Sequence, residues 1–274
     1  NFRHESTSMT HRIDMPPAGF RFAEAVLPGH PDKLADQIAD GIVDIALAKD
    51  DRAIVQVEVA VHQNICHING RVSTAGGALD PKYVEATVRG VYERAGFGVP
   101  FEGVGDGTDY ACPHPSQVDV QLACTIDEAD DDEHAMREYT DDQAIHIGYA
   151  IGTPDTHWLP MEQHLSLLLR DRLLQLTIQN RSLGAGPDGK LLIALCPVGI
   201  NAAGFVRYAP AWVVCSVQHL VAAPTVVIER SVRELFTRVL REEAARMPAL
   251  LDAPGDEFEV RVNPAGPFSE GGPM

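Results

Sequence analysis

Gly29-His30-Pro31-Asp32-Lys33 gathers an imidazole, a carboxylate and an ammonium at the start of a predicted helix. Free N–H groups and the positive end of the dipole make a helix N-terminus a natural seat for phosphate. His30 could donate to a phosphate oxygen there, and Asp32 could hold a magnesium ion that bridges to one. The plainer reading is that Pro31 starts the helix and Asp32 complements its dipole. A second carboxylate, Glu58, stands opposite a valine stripe in a predicted strand, where it suits either a metal ion or solvent. Gly186-Pro187-Asp188-Gly189-Lys190 has the composition of a turn running into a strand. Its functional reading puts Asp188 on a ribose hydroxyl and Lys190 on a phosphate. The Gly/Pro-rich stretch from Asn263 to Met274 carries one aromatic, Phe268, able to stack on a base; the alternative is an unstructured tail.

These residues need elements to position them. Leu34, Ile38, Ile42 and Ile45 recur with helical spacing and predict a helix over 31–50. Val55, Val57, Val59 and Val61 alternate with Gln56, Glu58 and Ala60, which predicts a strand over 53–61. A second strand over 71–75, a helix over 81–96 and a strand over 118–126 follow, then an acidic loop over 127–134 read as a solvated charge run. Further on, Leu165, Leu168, Leu169, Leu173 and Leu176 mark a helix over 161–178. Strands are expected over 190–196, 205–207, 212–220 and 258–263, with a helix over 226–247 ended by Pro248. Strand pairs separated by single helices define an α+β class with mostly antiparallel sheets, not a doubly wound parallel one. The strands–helix–strand pattern occurs twice, with no obvious sequence repeat.

Composition narrows the function. A formal charge of −17 excludes nucleic acid as the main partner, because a duplex needs a basic surface. Lysine occurs only at Lys33, Lys49, Lys82 and Lys190, so a bound polyphosphate would need divalent metal for much of its counter-charge. The sequence holds no apolar run long enough to span a membrane, and the polar start lacks a signal-peptide core. Five scattered cysteines without CxxC spacing predict reduced thiols in a cytoplasmic compartment, not a disulfide framework or a zinc site.

In order and approximate spacing, several pieces resemble the methionine adenosyltransferase (S-adenosylmethionine synthetase) family across Phe22 to Met274. They are Gly29–Lys33 followed by Leu34-Ala35-Asp36-Gln37-Ile38-Ala39-Asp40, then Val57-Glu58-Val59, then Asp142-Gln143 with Gly148-Tyr149-Ala150. Pro187–Lys190, Ser216-Val217-Gln218-His219, Val262–Phe268 and the closing Gly271-Gly272-Pro273-Met274 complete the series. The resemblance implies an α+β fold with helices on one face of each sheet and a pseudo-threefold domain arrangement whose third domain is largely absent. It implies an N-terminal-type domain from 1–24 with 150–262, and an incomplete central-type domain from 25–126 with 263–274. Residues 127–149 would form the gate loop and the start of the third domain.

The implied reaction joins ATP and methionine, or a related thioether, at sites shared across a homodimer. Sulfur attacks the ribose C5′, and tripolyphosphate leaves and is cleaved to diphosphate and phosphate. His30 would contact the triphosphate, Asp32 magnesium, Glu58 potassium, Asp142 the amino acid, Asp188 and Lys190 the nucleotide, and Phe268 the adenine. The chain departs from the pattern in several places. Arg71 stands where the family has a glutamate for methionine, and Tyr139–Ala144 lacks the glycines of GAGDQG. Acidic residues at 128–133 replace SPDI, Pro267 replaces an arginine, and the sequence stops at the GGPM motif. Arg71, which could meet a carboxylate, keeps open an ATP-using homologue with another amino-acid nucleophile. The scarcity of lysine keeps open a non-catalytic regulatory subunit of a complete homologue.

Overall fold

The computed structural model describes residues 19–105, 109, 111–130, 132 and 145–269. Two units share one element order: helix, antiparallel strand pair, helix, then a strand parallel to the second of the pair. The first comprises α1 (Pro31–Lys49), β2 (Ile54–His62), β3 (Ile65–Thr74), α2 (Pro81–Ala95) and β4 (Asp119–Glu128). The second comprises α3 (Met161–Gln179), β5 (Ala185–Ile200), β6 (Val206–His219), α4 (Thr225–Arg246) and β7 (Glu259–Val262). β1 (Arg21–Val26) precedes both units and pairs antiparallel with β5, which gives sheets of order β2-β3-β4 and β1-β5-β6-β7. Antiparallel pairing predominates, and each parallel pair is joined through a helix, as its crossover requires. The α+β class holds.

Each sheet buries one face under its helices. In the first unit Leu34, Ile38, Ile42 and Ala46 of α1 and Val84, Val88 and Val91 of α2 cover the valine stripe, Ile68 and Val72. Gln56, Glu58, Asn69 and Gln121 lie on the opposite, open face. In the second unit Leu165, Leu169 and Leu173 of α3 and Phe236 and Leu240 of α4 cover Leu191, Ile193, Val213 and Cys215. Its far face carries Phe22 and Trp212 in the same cross-strand row, their ring centroids 5.9 Å apart. Residues 145–150 are exposed throughout. Among the described residues no helix is long and apolar enough to cross a membrane.

Several expectations are corrected. The segment 186–190 is not a turn but the first part of β5, with a register shift between Ala185 and Gly189. β3 begins at Ile65, because the two residues Gln63 and Asn64 close a hairpin with Gln63 at φ 52. The strands expected over 205–207 and 212–220 are one, β6. Asp127 and Glu128 belong to β4 and not to a loop. Residues 263–269 hang on β6 by hydrogen bonds and are no loose tail.

Candidate functional site

His30 caps α1. Its backbone is extended (φ −65, ψ 140), and its Nδ1 accepts the Asp32 N–H at 3.3 Å. A neutral imidazole that accepts at Nδ1 carries its proton on Nε2, which is then the nitrogen able to donate. The Asp32 side chain is 85% exposed beside it, 3.8 Å from Nδ1. A carboxylate so open suits a magnesium ion, which keeps most of its water and binds through one or two carboxylates plus substrate phosphates.

Gly29 decides where His30 sits. Its N–H donates to the Pro187 carbonyl at 3.1 Å, and a Cβ at Gly29 would lie 2.7 Å from that carbonyl's carbon and oxygen. Only a residue without a side chain brings the cap this close to β5. Leu27 N–H reaches Gly189 O at 2.8 Å, so the chain from β1 into α1 is stitched along residues 187–189. Asp188, in this stretch, is 3% exposed. Lys190 pairs with Val26 in the ladder, and its Nζ lies 2.8 Å from Glu24 Oε2.

Phe268 reaches the same region from the other side. Ala185 pairs with His219 at the end of β6, and His219 N–H donates to Phe268 O at 2.9 Å. His30 and Phe268, far apart in sequence, are thus each tied through a neighbour, Gly29 and His219, to the first residues of β5, where Asp188 and Lys190 themselves lie.

Glu58 and Arg71 lie elsewhere, on the open face of the first sheet. Glu58 pairs with Asn69, and Arg71 pairs with Gln56 on one side and Thr125 on the other. Arg71 Nε and Nη2 donate to both carboxylate oxygens of Asp127, at 3.0–3.2 Å. Ser73 Oγ also donates to Asp127. The Ser73 bond first, and the Arg71 guanidinium with it, hold the Asp127 carboxyl below its usual range. Among the described residues no three His, Cys, Asp or Glu side chains cluster as a metal cage, so Glu58 offers a single ligand. Asp142 lies outside the described residues.

Sequence reasoning gave no role to Glu24, Asp127, Asn263 or His219. Asp127 was concealed within an acidic run. His219 carried a signal in the Ser216–His219 motif, at the end of an apolar alternation.

Paired helix–strand–strand–helix–strand units, with a capped helix start pressed on the first residues of β5, define an α+β protein built from two like units. Residues 20–103 match the family profile described as "S-adenosylmethionine synthetase, N-terminal domain". The S-adenosylmethionine synthases of Salinispora arenicola (strain CNS-205) and Synechococcus sp. (strain RCC307) are 31% and 32% identical to the chain; each alignment covers 92% of it and 61% of the relative. A solved structure described as an unusual S-adenosylmethionine synthetase from Campylobacter jejuni superposes with a TM-score of 0.67 at 22% identity, covering 92% of this chain and 60% of that one. The chain has the S-adenosylmethionine synthetase fold, resembles S-adenosylmethionine synthases over 92% of its own length, and spans about three-fifths of the length of the relatives it matches.

Proposed function

We propose that this protein binds ATP with magnesium at the start of β5 and transfers the adenosyl group to the sulfur of methionine. The observation that carries the reading is the convergence there of the His30 cap, Asp188, Lys190 and the Phe268 loop. A sulfur lone pair forms the bond to C5′ as the C5′–O5′ bond breaks, and tripolyphosphate departs with the electron pair. No proton moves in this step, so the protein's work is alignment and stabilisation of the leaving polyanion. His30 Nε2–H and the α1 N-terminus donate to phosphate oxygens, Lys190 exchanges Glu24 for phosphate, and Phe268 stacks on the adenine. Asp32 would hold magnesium, which would supply the positive charge that four lysines do not. Glu58 would contribute one ligand to a potassium ion, and two copies would associate with their sites shared.

Calorimetry of ATP with magnesium on wild type, His30→Ala and Asp32→Asn tests this. Wild type binds, each variant loses about tenfold or more, and omitting magnesium has a similar effect. Unchanged affinity in both variants refutes the site.

A second reading, a different thioether or amino acid as nucleophile, is favoured by the Arg71–Asp127 pair, which puts a guanidinium where an ammonium-binding carboxylate would be needed. Single-turnover product analysis with methionine and a panel of thioethers separates the two. Efficient S-adenosylmethionine formation, unchanged in Arg71→Glu, removes the second.

A further inference from the structure

We infer that His219, with Asn263, is a positioning residue that clasps the Phe268 loop to β6 and so sets the adenine end of the nucleotide site; this rests on the ATP reading above. The loop is held at both ends. The parallel ladder of β6 and β7 stops at Cys215 and Val262, and Asn263 N–H then donates to Cys215 O at 2.8 Å. The Asn263 side chain takes over as a surrogate strand: its Oδ1 accepts Val217 N–H at 2.8 Å and its Nδ2 donates to Val217 O at 3.0 Å. Asn263 adopts φ 46, and Gly266 N–H bonds back to its carbonyl at 3.0 Å, so the chain turns away from the ladder at once.

It returns at Phe268. His219 N–H donates to Phe268 O at 2.9 Å, and Phe268 N–H donates to His219 Nε2 at 3.0 Å. The imidazole's other nitrogen, Nδ1, stands 2.8 Å from Leu220 O and donates to it. A ring that is 3% exposed therefore has a donor on one side and an acceptor on the other, each spent on a backbone group. Both backbone groups of Phe268 are fixed, while its side chain stays only partly buried. An aromatic platform needs this: stacking repays a base only when the ring is ordered beforehand.

The requirement is chemical, not merely steric. Alanine offers neither bond and lysine offers only donors, whereas glutamine, with one carbonyl and one amide, can supply both. The test compares ATP with inorganic tripolyphosphate, each with magnesium, on the whole chain, and follows hydrogen exchange at the Phe268 amide. His219→Ala is expected to speed that exchange and weaken ATP about tenfold, leaving tripolyphosphate unchanged because it has no base to stack. His219→Gln recovers most of the ATP affinity. Phe268→Ala weakens ATP as His219→Ala does, and the double variant is no weaker than either. If His219→Ala does not fold, Asn263→Ser frees the other end of the loop and carries the same expectation.

Equal loss of ATP and tripolyphosphate, unchanged ATP affinity, or additive losses in the double variant overturn the clasp. Wild type that binds tripolyphosphate but not ATP overturns it while leaving the phosphate end of the proposed site standing. Wild type that binds neither removes the proposed function as well.

Discussion

At the scale of single residues, Asp127 and Gly29 carry the clearest consequences. Asp127 ionises more readily in the folded chain than in the unfolded one, because Ser73 and Arg71 both favour its charged form. Its contribution to stability is therefore present above the unfolded carboxyl value of about 3.9 and is lost as pH falls through the lower folded value. Asp127→Asn should cost stability at neutral pH, with the difference from wild type shrinking below about pH 4 in thermal melts. Both side chains are about one-third exposed, so solvent screening limits the cost to about 1 kcal/mol or less. A larger effect is expected at Gly29, where a methyl group meets main-chain atoms of Pro187 that cannot swing aside. Gly29→Ala should destabilise by about 1–3 kcal/mol and displace the His30 cap, lowering ATP affinity beyond what the stability loss explains. Among the thiols, burial pushes Cys66 up to about 12 and raises Cys215 as well, so both should resist thiol reagents until unfolding while exposed Cys112 reacts at once.

At the scale of elements, the α1–α2 crossing sets two propensities against each other. Gly41 in mid-helix costs about 1 kcal/mol relative to alanine, but a Cβ there would lie 2.6 Å from the Thr87 methyl on α2. Overpacking of about 1–3 kcal/mol outweighs the propensity gain, so Gly41→Ala should lower the melting temperature. Adding Thr87→Ser, which removes that methyl, should restore it. Elements with a strong internal period were legible. The helix expected over 31–50 is Pro31–Lys49, and the strand expected over 53–61 is Ile54–His62, because their burial follows their own sequence spacing. β1 was not legible, since a six-residue strand declares itself only through a partner on distant β5. Residues 186–190 were misread because Pro187 and Gly189 favour turns in isolation. In the fold, the missing Pro187 N–H costs nothing at an irregular strand start, and its carbonyl is what Gly29 needs. Likewise His30 and Lys190 were marked as candidates from type and spacing, whereas the roles of His219 and Asn263 depend on bonds across the end of β6.

At the scale of the whole molecule, both sheets present a face that no helix covers. On the second, Phe20, Phe22 and Trp212 form a chain of ring contacts, with Phe22 42% exposed. Such a patch fits the proposed homodimer, and Trp212→Asp should shift the sedimentation coefficient toward the monomer while leaving the helical signal intact. A monomeric wild type would refute the association. The position of β1 has a consequence of another kind. It is the first strand among the described residues, yet its ladder partner β5 belongs to the second unit, and Ala23 and Leu27 are buried in that unit's core. On the ribosome, β1 must wait for β5 to emerge, while α1 through β4 already have their main packing partners, one another, in hand. A single proteolytic nick after Tyr149, which is 72% exposed, would therefore not yield two independent halves. The fragments should co-elute as one particle and separate only in denaturant. Expressed alone, the later fragment should bear a naked β5 edge and aggregate until the earlier fragment is supplied in trans.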